Sequence, residues 1–310
     1  MSKLLLVVCL AACSHPAYAA PASCVDGDLF DPATMKEQLT FLASPELDGR
    51  APGTAGDTKA RAFIEDRFRC LGLTPAGDDG GFAQAFQTGT RKSANLVGFI
   101  AGGDPKLKDE IVVVSAHHDH LGDGHLGAND DASGVVALLG IAQLVRQHGA
   151  PKRTIMFATF GAEEDGMVGS DFYVKHPATA LPLEHVVQFI ELDMVGSHKS
   201  SDLVAAMGAF KGFGARTVLD KLVKKFPKIH VSAGGKARGS DFQPFCELGV
   251  PYTFFWTPDH RCYHEKCDTI DNIDLPHMVD IATLAGLLVR DLGDTELDLA
   301  GLRAKRGCGV

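Results

Sequence analysis

No long run of lysine or arginine occurs in the 310 residues, and the formal charge is -9. A nucleic-acid binder needs a basic stripe to neutralise phosphates, so the composition argues against that class of partner. No apolar stretch reaches the ~20 residues that span a bilayer as a helix; positions 4–12 and 135–145 are both short. There is no internal repeat, no low-complexity tract and no linker to divide the chain. Segment 102–110 reads as a turn, so no accessory domain is expected there. What is present is ordinary for a globular protein: 45% hydrophobic residues, enough for one sizeable core.

Lys3, the apolar residues 4–12 and Ala17-Tyr18-Ala19 have the three-part form of a signal peptide, 1–19. The expectation is an exported chain, periplasmic or secreted, with no membrane span. Leu10-Ala11-Ala12-Cys13 also resembles a lipobox, which would leave a lipid anchor on Cys13. Cleavage near Ala19 is favoured because the apolar run before Cys13 is short. Beyond the leader stand Cys24, Cys70, Cys246, Cys262, Cys267 and Cys308, an even set that suits an oxidising compartment. Only Cys262 and Cys267 are near enough in sequence to pair on sight. The other pairings stay open, as does the oligomeric state.

Helical spacing marks 32–43, 56–71, 133–148, 168–176, 212–226, 241–248 and 275–292. Apolar runs at 95–100, 111–116, 154–160, 185–192, 203–206 and 252–256 read as strands. Strands alternating with helices of this length predict a single α/β domain. Its sheet should be mixed but mostly parallel, covered by helices on both faces.

The chemistry collects just after the apolar strands, where open α/β sheets hold ligands. Strand 111–116 runs into His117-His118-Asp119-His120. His117 and Asp119 are two apart and project to one side of an extended backbone, so Asp119 can orient the His117 ring. His118 points the other way and reads as a packing or surface residue. Asp130 and Asp131 precede a helix start; one carboxylate serves the helix dipole, which leaves the other free for a metal. Glu163 and Glu164 diverge from adjacent positions, so one can ligate while the other accepts a proton from water. Asp193 ends another apolar strand, and His264 lies between Cys262 and Cys267. Neutral nitrogen with anionic oxygen suits a divalent ion, zinc above all. Metal-assisted hydrolysis is the leading reading.

These motifs resemble those of the co-catalytic di-zinc aminopeptidases of bacteria, relatives of glutamate carboxypeptidases and glutaminyl cyclases. The matching pieces are Ala-His117-x-Asp119-His-Leu-Gly, Gly-Ala-Asn-Asp130-Asp-Ala-Ser-Gly, Glu163-Glu164-x-Gly-x-x-Gly-Ser, Leu-Asp193-Met-Val-Gly and Tyr263-His264-x-x-Cys-Asp-Thr-Ile-Asp. The N-terminal segment 42–53 is similar too. The likeness covers residues 30–292, leaving 293–310 as a C-terminal tail. It implies the zinc exopeptidase fold, of the phosphorylase/hydrolase-like type, and two Zn2+ ions.

By the same resemblance, His117, Asp130 and Asp193 hold one ion, and Asp130 bridges to a second ion on Glu164 and His264. Glu163 becomes the general base, Asp119 the orienter of His117, and Tyr263 a stabiliser of the oxyanion. A cis peptide bond between Asp130 and Asp131 is also implied. The chain departs from the family at Phe242, where a His commonly follows Ser240-Asp241. The implied activity is that of an aminopeptidase acting on a peptide or protein substrate through a water activated between the zincs. The rival readings are a glutaminyl cyclase with a single zinc and an inactive binding ectodomain.

Overall fold

The computed structural model describes residues 24–196, 202–258 and 261–309. The expected signal peptide and the lipobox at Cys13 lie outside the described residues. Helices α1 (Pro32–Leu42) and α2 (Ala55–Cys70) come first, each capped by a side-chain oxygen, from Asp31 and Thr54. Strands β1 (Thr74–Pro75), β2 (Ala83–Thr88), β3 (Arg91–Ile100) and β4 (Ile111–His117) follow, then α3 (Gly134–His148) and β5 (Thr154–Phe160). Next are α4 (Val168–Lys175), β6 (Val186–Leu192), β7 (Leu203–Met207), α5 (Gly214–Leu222) and β8 (His230–Ala233). Helix α6 (Phe242–Glu247), β9 (Tyr252–Trp256), α7 (Leu275–Asp294) and α8 (Leu299–Arg306) complete the described chain.

Among the described residues the strands form one sheet in the order β1-β3-β5-β4-β6-β9-β7-β8, with β2 beside β1 on the outer edge of β3. The four central strands β5, β4, β6 and β9 are mutually parallel. The flanking pairs β3–β5 and β7–β9 are antiparallel. Every residue of β4, β5 and β6 is buried. Along β4, Val112, Val114 and Ala116 enter the core on one face while Ile111 and Val113 enter the core on the other. Helices cover both faces, so these strands read as continuous apolar runs rather than as alternations. The mixed sheet with helices on both faces matches the expectation, its parallel part being the centre, with antiparallel pairs toward the edges.

The differences lie at the margins. The pattern of β2 was hidden because Gln84 and Thr88 share its buried side with Phe86. Gln84 is satisfied there by Asn95 and by the His176 carbonyl. Exposed β8 and two-residue β1 carry too little apolar signal. The tail expected over 293–310 contains α8, whose Arg303 guanidinium donates to the carbonyls of Leu183, Glu184 and Val186. Disulfides join Cys24 to Cys70, Cys246 to Cys308, and Cys262 to Cys267. Cys246–Cys308 closes a separation of 62 residues and ties the C-terminus to α6. Cys308→Ser is expected to lower the unfolding free energy by about 4 kcal/mol on the chain-entropy account. A denaturant titration shifted by less than ~1 kcal/mol would mean that α8 docks without the link.

Candidate active site

Each central parallel strand delivers site residues from its carboxyl end. His117 closes β4, Glu163 and Glu164 follow β5, Asp193 follows β6, and the loop after β9 carries His264. The five expected ligands converge in two groups. His117 Nε2 lies 3.1 Å from Asp130 Oδ1 and 3.6 Å from Asp193 Oδ1. His264 Nε2 lies 3.3 Å from Asp130 Oδ2 and 3.0 Å from Glu164 Oε2. Asp130 therefore offers one oxygen to each group.

The spacing tests whether a metal suits the site. Zinc–ligand distances of about 2.0–2.1 Å in a tetrahedron put ligand atoms about 3.3 Å apart, and the four separations fall around that value. Charge gives a second test. Asp130 and Asp193 are 3% and 8% exposed, and two buried carboxylates call for positive charge, from protonated imidazoles or from bound cations. The donor set fits two such ions.

The protonation of the two rings bears on how an ion would bind. Hydrogen bonds to Asp130 and Glu164 push the His264 imidazole up to about 10. Burial pulls His117 down, but Asp130 and Asp193 outweigh it and hold the ring well above the usual range. Both rings thus keep protons that an ion must displace, so affinity should climb as pH rises through neutrality. Adding zinc to metal-free protein at pH 7 is expected to release protons, measurable in weakly buffered solution. Binding without proton release would contradict these assignments.

Glu163 is half-buried, and burial pushes its carboxyl well above the usual range; His117 opposes this while Asp241, Asp193 and Asp119 add to it. Asp119 departs from its expected geometry. Its carboxylate is 3.8 Å from His117 Nδ1, which instead meets the Asp119 main-chain carbonyl at 3.1 Å. The carboxylate oxygens accept the backbone N–H groups of Glu163 and Glu164. Asp119 thus orients the ring through its backbone and the glutamate pair through its side chain. Tyr263 is 48% exposed and stacks on His264 at 3.8 Å between ring centres.

Local backbone is shaped for the site. The Asp130–Asp131 peptide is cis. Ala162, Met194 and His264 take positive φ, a costly conformation for residues with a Cβ and one that gathers at functional sites. Gly127 has φ +62, and a Cβ there would come within 2.6 Å of the His120 ring.

Several supporting residues were not legible in the sequence. His120 is fully buried, with Nδ1 2.6 Å from Glu164 Oε1. It also groups with Asp130 and Glu164 as a metal candidate, but its contact with Glu164 makes it a support for that ligand. Asp131 groups with His117 and Asp193. Its oxygens, however, accept from the backbone N–H groups of His117, Gly134 and Met194, so they are committed to tying the end of β4 to the start of α3 and the loop after β6. Ser240 Oγ bridges Glu191 and Asp193. Glu191 also accepts from the N–H groups of Asp241 and Phe242. Phe242 stacks on Tyr252 at 4.1 Å, and burial pushes neighbouring Asp241 up to about 7. His118 is fully buried, its Nε2 3.5 Å from Asp57, so of the packing and surface roles expected of it the chain uses the buried one.

Two ligand groups sharing one carboxylate, at the carboxyl ends of parallel strands, define a candidate dinuclear metal centre. The profile of peptidase family M28 matches residues 95–289, and the chain belongs to that family. It is 27% identical over 267 residues to leupeptin-inactivating enzyme 1 of Streptomyces exfoliatus, covering 76% of this chain and 56% of that one. Aminopeptidase YwaD of Bacillus subtilis is 32% identical over 208 residues, covering 62% and 44%. The chain thus spans about half the length of these two relatives. The structure of BSAP, a zinc aminopeptidase from Bacillus subtilis, superposes with a TM-score of 0.72 at 18% identity, over 87% of this chain and 97% of that one. At that identity the superposition speaks for the fold.

Proposed function

We propose that the protein is a zinc-dependent exopeptidase that removes N-terminal residues from peptides. The observation that carries this reading is the division of Asp130 between the two ligand groups. His117, Asp130 and Asp193 would hold one Zn2+, and Asp130, Glu164 and His264 the other. Zinc in such a site polarises the scissile carbonyl and lowers the pKa of water. Glu163 takes the proton of the attacking water and passes it to the leaving amine. Its raised basicity suits it to a group that is first base and then acid. The Tyr263 hydroxyl, pushed up to about 12 by burial and the surrounding carboxylates, stays protonated and donates to the oxyanion.

Unblocked and N-acetylated aminoacyl anilides separate this reading from others. Hydrolysis of the free-amino substrates alone is expected. Equal cleavage of both, or cyclisation of N-terminal Gln without hydrolysis, would overturn it.

Export to an oxidising compartment is part of the proposal. Its support is the three disulfides together with the leader pattern at 1–19. No helix among the described residues is long and apolar enough to cross a membrane.

Cys262–Cys267 closes a separation of only 5 residues, so its contribution is local order around His264 more than global stability. Replacing both cysteines by Ser is expected to weaken one zinc by about 10-fold with little change in Tm. Unchanged affinity for both ions would count against this role.

A further inference from the structure

The backbone that presents Asp130 is gripped from two sides by groups that lie outside both ligand sets. Arg50 is fully buried. Its guanidinium donates to main-chain carbonyls alone: Leu42 and His118 at 2.7 Å, Leu126 at 2.8 Å and Gly127 at 2.9 Å. No carboxylate of the described residues forms an ion pair with it. Asp268 is 3% exposed, and its oxygens accept the N–H groups of Asn129 at 2.8 Å and Asp130 at 3.0 Å. Its own carbonyl accepts from Ala128. The carbonyls of Leu126 and Gly127 therefore face the cation, and the N–H groups of Asn129 and Asp130 face the anion.

A buried charge with no carboxylate in direct contact is costly, even with Asp268, Asp119, Asp131 and Asp130 near enough to favour it, and apolar packing generally serves stability better. A buried guanidinium spread over four carbonyls from three segments calls for another purpose. We propose that Arg50 and Asp268 are positioning residues that together fix backbone 126–130 so that the two oxygens of Asp130 face different ligand groups. The inference rests on the two-metal reading. Asp130 is the shared ligand, so loosening its backbone weakens both ions together. Loss of a ligand from one group weakens one.

Electrostatics alone predicts the opposite sign at Arg50. Removing a nearby positive charge should tighten cation binding, whereas loosening the frame weakens it. Arg50→Lys keeps the charge but loses the planar fork that reaches several carbonyls. Asp268→Asn keeps the size but turns an amide NH2 toward one of the N–H groups.

The test is zinc titration of metal-free protein against a chromophoric chelator, for wild type, Arg50→Lys, Arg50→Met, Asp268→Asn and Glu164→Ala. Wild type is expected to take two ions. The Arg50 and Asp268 variants should bind both about 10–100-fold more weakly, in parallel, while Glu164→Ala loses one selectively. Wild-type affinity in Arg50→Lys and Asp268→Asn, or tighter binding in Arg50→Met, overturns the proposal. Fewer than two ions on wild type overturns the two-metal reading itself. Because Arg50 variants also threaten folding, the zinc-induced rise in denaturation midpoint is measured on each variant. A merely structural role lowers the midpoint with and without zinc and leaves that rise unchanged, which also overturns the proposal.

Discussion

Glu163→Gln is expected to retain both metal ions and to lower kcat by about 10²–10⁴-fold, the usual span for loss of a general base. The amide keeps the shape of the side chain but cannot take a proton. Glu163 belongs to neither of the two groups, which are formed by side-chain atoms of His117, Asp130, Asp193, Glu164 and His264. Its backbone N–H remains held by Asp119, so the loop should not move. KM should change little, because the proton transfer belongs to the transition state. Near-normal kcat in a fully metallated Glu163→Gln protein would remove Glu163 from the chemistry.

Asp130→Ala should have the larger effect still. Both oxygens vanish at once, and each group loses one of its three protein ligands. Metal content should fall from two ions toward none, and the rate toward the uncatalysed one, against which enzymes generally gain on the order of 10⁶-fold or more. Glu164→Ala should leave the His117 and Asp193 group loaded. An Asp130→Ala protein with one tightly held ion would mean that the groups are less dependent on the shared carboxylate than their geometry implies.

What the sequence revealed and what it hid follow from the same physics. The central strands are buried on both faces, so β4, β5 and β6 stand out as apolar runs, and the chemistry sits just past their ends. Edge strand β2 was missed because Gln84 and Thr88 are buried through partners that the sequence cannot show. The five residues that converge in two groups could be named because each is the reactive tip of a strand or a loop, within motifs that resemble a known set. Asp131, Glu191, Asp268 and Arg50 could not, since their work is to bind backbone amides and carbonyls from distant segments. Arg50 had a trace in the similar segment 42–53, but nothing there tells a guanidinium that spans four carbonyls from a surface charge. Asp119 shows the same limit: its spacing from His117 predicts a carboxylate on the ring, whereas in the folded chain the main-chain carbonyl meets the ring and the carboxylate holds the glutamate pair.

Zinc titration into metal-free protein, followed by amine release from an unblocked aminoacyl anilide, tests the central claim most directly. The account predicts two equivalents bound, with full hydrolysis reached on the second and none of the acetylated analogue cleaved. Saturation at one equivalent with full activity, or two ions bound without any hydrolysis, would contradict it.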